Sequence, residues 1–195
     1  EKVNAVKDPE RALYPRFSSF DNNIKINELF EHIDYKGGIS IHGAKFIGKG
    51  SHEHPSEIQL SRNDTLFLIA TSEHFAFQND RIAGKDTKIK ILIDTCKIYH
   101  PGLLFKYFPK KKELNLIRDG EGVSKSPYFN NYHNLIMDFG MLIWKIDENM
   151  MHFGSMKGAT KRQAHFESMN YFSMNRFMRI QGMDQQNPLV LLRKF

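Results

Sequence analysis

Several clusters in this chain carry the residue types that chemistry needs. His52-Glu53-His54 places two imidazoles around a carboxylate. On an extended segment the two rings would point to one face, a spacing that zinc sites use. A site needs a third ligand, and none occurs at a diagnostic spacing. The plainer reading is a polar loop ended by Pro55, with His52 and His54 as weak metal candidates only.

Gly43-Ala44-Lys45-Phe46-Ile47-Gly48-Lys49-Gly50 comes close to a phosphate-binding loop. Its last position is Gly50, where a hydroxyl would be needed to reach magnesium. The segment also reads as strand, and Ser51 to Pro55 cannot continue as the helix whose N-terminus should face the phosphates. Glycines that permit curvature or a bulge explain it better. His100-Pro101-Gly102 reads as a tight type II turn, Pro101 fixing φ and Gly102 supplying φ > 0. Asp138, Asp147 and Glu148 are the candidate paired carboxylates. The last two belong to a turn, and Asp138 stands alone in an apolar run. Glycosidase chemistry needs two carboxyls across a cleft, which this spacing does not supply. Cys96, the single cysteine, lacks an evident activating partner and excludes an internal disulfide framework.

The aromatic run Tyr128, Phe129, Tyr132 and His133 lies in a long polar stretch, 119–134. Loops of that length are often functional. These four residues are the candidate partner-binding surface; the alternative is a loop packed over a sheet edge. No catalytic residue and no cofactor are expected.

The elements that must position these groups are strands. Ile89, Ile91 and Ile93 alternate with Lys88, Lys90 and Leu92, and Leu114 and Leu116 alternate with polar residues between turn signals. This is the pattern of antiparallel β structure with one buried face. Leu103 to Phe108 and Glu113 to Arg118 form a hairpin across Pro109-Lys110-Lys111-Lys112, the lysines forming a solvated tip. Ile24 to Phe30 reads as strand or short helix, its isoleucines favouring strand. Ile39 to Ile47 reads as one strand opened by Gly37-Gly38, and Leu135 to Ile146 as another. From about Arg162, Phe166 and Met169 approach helical spacing.

The 195 residues, 41% of them hydrophobic, are enough to bury a core. No linker divides them. The expected fold is therefore one all-β or β-dominated domain over 1–195, an antiparallel meander forming a sandwich, a curved sheet or a solenoid segment. Residues 1–35 are expected to be an irregular lead-in and 162–195 a cap of short helices. A net charge of +6 is a mild excess that suits acidic surfaces without pointing to nucleic acid. No apolar run reaches the roughly 18–20 residues of a membrane-spanning helix.

The phrases Tyr35-Lys36-Gly37-Gly38, Ile98-Tyr99-His100-Pro101-Gly102-Leu103, Arg118-Asp119-Gly120-Glu121-Gly122, Ser124-Lys125-Ser126-Pro127-Tyr128 and Gln181-Gly182-Met183-Asp184 resemble those of a family of large, uncharacterised envelope proteins of Gram-negative bacteria. The resemblance covers most of the chain. It implies an internal or terminal fragment of a longer protein, exported or envelope-located, whose partners are other parts of the parent chain or envelope proteins. It carries no catalytic motif. The glycine cadence from Gly37 to Gly48 is similar to that of β proteins that carry lipid along an apolar groove, so a lipid- or glycan-handling groove is the second expectation. A metal-dependent enzyme built on His52 and His54 is the third.

Overall fold

The computed structural model describes residues 16–154, 164–169 and 178. It is strand-dominated, and every strand pairing in it is antiparallel. The strands are β1 (Arg16–Ser18), β2 (Ile24–Phe30), β3 (Ile33–His42), β4 (Lys45–Lys49), β5 (Ser56–Arg62), β6 (Thr65–Ser72), β7 (His74–Phe77), β8 (Ile82–Ile93), β9 (Cys96–Phe108), β10 (Glu113–Ile117), β11 (Tyr128–Asn130), β12 (Leu135–Asp138), β13 (Met141–Lys145), β14 (Met151–Gly154) and β15 (His165–Ser168). Among the described residues no helix is long and apolar enough to cross a membrane.

Alternation sets the inner face. Ile82, Ile89 and Ile91 of β8 are buried while Lys88 and Lys90 are exposed. In β9, Ile98, His100, Phe105 and Tyr107 are buried in the same way. Turn chemistry then sets the register. Asn63 and Asp64 take φ of +50° and +57° between β5 and β6, and Asp94 takes φ +51° between β8 and β9.

The sheet closes on itself. β3 pairs with β5 through Ile33–Lys36 and with β4 through Gly38–His42. β8 pairs with β7 through Ile82–Gly84 and with β6 through Lys88–Ile91. With β4 paired to β7 and β5 to β6, the circuit β3–β4–β7–β8–β6–β5 is complete. Each changeover falls where the backbone can bend. In β3 it is Gly37-Gly38, where a Cβ at Gly37 would lie 2.5 Å from the Tyr35 hydroxyl and 2.6 Å from Ser56 Cβ. In β8 it is a bulge at Lys85-Asp86, Asp86 taking φ +50°. Bulges bend strands and add local twist. The enclosed space is filled by Tyr35, Phe75, Phe77 and Phe105, with edge-to-face contacts at 5.3 Å for Tyr35–Phe77 and 6.0 Å for Phe75–Phe105. Beyond the circuit β9 carries two branches, β10–β13–β14 on one half and β11–β12–β15 on the other.

The hairpin from Leu103 to Ile117 forms as expected, with Lys110 and Lys111 at its tip. Other boundaries differ from the sequence reading. Of the lead-in over 1–35, residues 16–35 hold strands β1 and β2 and the start of β3, Ile24–Phe30 being the strand favoured by its isoleucines, and residues 1–15 lie outside the described ones. Ile39–Ile47 is a hairpin, because Gly43 at φ +60° turns the chain between β3 and β4. Leu135–Ile146 breaks at Phe139-Gly140 into β12 and β13. His100-Pro101-Gly102 is the interior of β9. Between Ile89↔His100 and Thr87↔Leu103 that strand has one residue more than its partner. The bulge accommodates a proline without a ladder N–H and a glycine. In the expected helical cap over 162–195, the stretch His165–Ser168 is instead a strand, held by β12. The cap's other residues, apart from Ala164, Met169 and Met178, lie outside the described ones.

Candidate functional site

The segment 119–134 is ordered by a buried arginine. The Arg118 side chain is 9% exposed. Its Nε donates to the Ser124 carbonyl at 2.9 Å, its Nη2 to the Lys125 carbonyl at 2.5 Å and its Nη1 to the Phe139 carbonyl at 3.3 Å; Nη1 also pairs with the Asp138 carboxylate. A guanidinium offers five donors in a fixed plane, so one side chain can fasten three carbonyls and a carboxylate. The chain makes a 3-10 turn at Gly122–Lys125 and then enters β11, which pairs with Ile98-Tyr99 of β9 and with β12. Asn130 shapes the turn after β11: its Oδ1 accepts the backbone N–H of Tyr132 at 3.0 Å and of His133 at 3.2 Å. This is an Asx turn, in which a side chain replaces a backbone acceptor.

Strand parity divides the four candidate aromatics. Tyr128 points inward. It is 1% exposed, stacks on Phe139 at 4.4 Å and lies 4.7 Å from the His100 ring. It belongs to the core and is withdrawn from the candidate surface. Phe129, the next residue, points outward and stacks on Tyr99 with ring centroids 6.4 Å apart. Tyr132 is half exposed and meets the exposed His133 edge-on at 4.6 Å. The outward row runs Ile69, Lys90, Tyr99, Phe129, Ile136 across five adjacent strands, each directly opposite the next. Sequence reasoning misses Tyr99 because it places a turn at His100. Once Ile98 and His100 are read as inward residues of one strand, Tyr99 must face out.

His100 is fully buried. Its Nε2 lies 2.8 Å from the Ser126 carbonyl, which fixes the proton there, and its Nδ1 accepts the Gly102 N–H at 3.1 Å. Burial pushes its pKa down to about 4, the Ser126 bond opposes this, and the Arg118 charge adds to it. The ring ties β9 to the 119–127 segment. Burial also pushes the Tyr128 hydroxyl well above its usual range; that hydroxyl is buried without a hydrogen-bond partner among the described residues.

The remaining candidates are separated from one another. His52 and His54 sit in the turn between β4 and β5. The side chain of His52 is almost wholly exposed, 3.4 Å from Glu73, and the His54 backbone N–H donates to Ser51 Oγ at 3.0 Å. Among the described residues no group of three histidine, cysteine or acidic side chains is placed to hold a metal. Asp138, solitary in the sequence, is paired with Arg118. Asp147 faces Lys112 at 3.5 Å and Glu148 faces Lys145 at 3.1 Å. Cys96 is partly buried at the start of β9, opposite Ile93. The loop-like run from Gly43 to Gly50 forms the β3–β4 turn and β4, with Gly48 packed against Tyr35 and Phe77.

Comparison with protein-family models, with curated proteins and with solved structures found no match.

Proposed function

We propose that this chain is a non-catalytic structural or binding module of a larger, envelope-associated protein. Its partner, another part of the parent chain or an envelope protein, would dock on the outward row around Tyr99, Phe129, Tyr132 and His133. The observation that carries this reading is the placement of the row. Tyr99 and Phe129 stack on the outer face of paired strands β9 and β11, and Asn130 fixes the turn that exposes Tyr132 and His133 beside them. Aromatic side chains give contact area at little conformational cost and are enriched where proteins bind. A rigid platform adds to this by reducing the ordering that association must overcome.

Photo-crosslinking residues placed at Phe129 and at Tyr132 in the full-length chain test the reading in cells. Crosslinks to one defined segment or one envelope protein, absent from a control at exposed Thr65, are the expected result. Crosslinking no greater than the control's removes the surface from consideration. A glycan partner is the second reading, favoured by flat rings beside the polar ends of Tyr132 and His133. Retention of the wild-type chain on envelope polysaccharide, lost in Phe129→Ala/Tyr132→Ala, would select it.

A further inference from the structure

Four connections meet at one end of the fold: the β2–β3 turn at Glu31-His32, the β5–β6 turn, the β9–β10 hairpin tip, and the turn after β13. Between them is a cleft of about 310 Å3. Leu60, Tyr107 and Ile146, each at most 5% exposed, form its floor. That volume falls at the lower end of small-ligand pockets, about 300–1,000 Å3, which typically join an apolar lining to a few polar groups. A wider cleft of about 680 Å3 beside Asn22, Glu53 and His54 has a polar, open lining and no such floor.

Charge around the smaller cleft is unbalanced in one direction. Arg62, Lys110 and Lys112 outnumber Glu31 and Asp147 in its lining; Lys112 engages Asp147 at 3.5 Å, while Glu31 has only His32, at 3.6 Å, which carries charge only when protonated. Arg62 donates only to the neutral Asn149 side chain, at 3.0 Å, and Lys110 has no acidic partner among the described residues. Tyr107 lines the cleft with its ring buried and its hydroxyl reached by solvent, in the field of Asp147 and Glu31.

We infer that this cleft binds a small amphipathic anion of the medium-chain carboxylate type, its head group held by Arg62 and Lys110, its apolar part against Leu60, Ile146 and the Tyr107 ring. Two cations without carboxylate partners set the sign of the ligand. A guanidinium and an ammonium suit a carboxylate, which accepts several hydrogen bonds at once. The floor requires that the ligand also carry hydrocarbon. The site shares no residue with the aromatic row, so either can fail without the other.

Calorimetric titration of the intact chain with octanoate tests this. Saturable binding is expected, weakened about tenfold or more in Arg62→Gln/Lys110→Gln, which corresponds to about 1.4 kcal/mol. Tyr132→Ala should leave it unchanged. Should the double variant not fold, Lys110→Gln alone, at the hairpin tip, makes the same comparison. Octylamine binding as tightly as octanoate would overturn the charge assignment. Inorganic phosphate binding as tightly would overturn the apolar half. The proposal is also overturned by an absence of saturable octanoate binding at millimolar concentration, or by charge-removing variants that bind like the wild type.

Discussion

His100 is held as a neutral ring, donating to Ser126 and accepting from Gly102. A second proton would destroy the acceptor and set two N–H groups against each other. This gives stability a definite pH dependence. The unfolded histidine titrates near 6.5 and the folded one near 4, so in that interval the unfolded chain binds the extra proton. Stability from this group is fully present above pH 6.5, falls as the pH drops toward 4, and is level below that. The integrated loss is about 3 kcal/mol, from about 1.4 kcal/mol per pKa unit. Urea unfolding of the wild type and of His100→Gln, which keeps a donor and an acceptor, measures it. The wild type should lose more stability between pH 6.5 and 4; parallel pH profiles would show that His100 does not titrate as its burial requires.

At the scale of the element, β3 and β4 depend on close approach across the enclosed space. A Cβ on Gly48 would lie 2.7 Å from Tyr35 Oη and 2.9 Å from Phe77 Cε2. Tyr35 cannot swing aside freely, because it is buried and its hydroxyl donates to the Gly38 carbonyl at 2.5 Å. Gly48→Ala should therefore cost roughly 1–3 kcal/mol, the range for overpacking a filled core. Gly154→Ala on β14 is the matched control, since a Cβ there would come no nearer than 4.0 Å to Met141 Cε. Equal melting temperatures for the two variants would mean that Tyr35 and Phe77 have room to shift. The same element shows why a near-match to a phosphate loop misleads. Gly43 serves a turn and Gly48 serves ring packing, so the two glycines answer separate steric demands.

For the whole molecule, closure depends on β7, a four-residue strand between β4 and β8. Ala76 is exposed, lies opposite both Ile47 and Ala83, and contributes little to the core. Ala76→Pro removes a ladder N–H and should destabilise by about 3 kcal/mol or more if the loss compares with that in a helix interior. Ala76→Thr should be close to neutral, as a β-branched residue suits an exposed strand position. Denaturant midpoints for the two variants decide the point. If they coincide, β7 does not bear the closure.

The alternation of Ile89 and Ile91 with Lys88 and Lys90, and the turn at Asn63-Asp64, are enough to specify antiparallel strands with one buried face. Side-chain period and turn preference are local properties, legible in any short window of sequence. The Leu103–Ile117 hairpin is legible for the same reason, and Phe129, Tyr132 and His133 stand out as surface aromatics from their polar surroundings. Tyr128 and Tyr99 do not, because which face a residue occupies depends on the register of its strand, and a turn placed at His100 reverses it. The partnership of Arg118 with Asp138 joins residues 20 positions apart, the pairing of β4 with β7 residues up to 31 apart, and the cleft beneath Arg62 and Lys110 residues up to 117 apart along the chain. Contacts over such separations depend on strand order, which only the tertiary structure decided, since β3, β8 and β9 each divide their length between different partners.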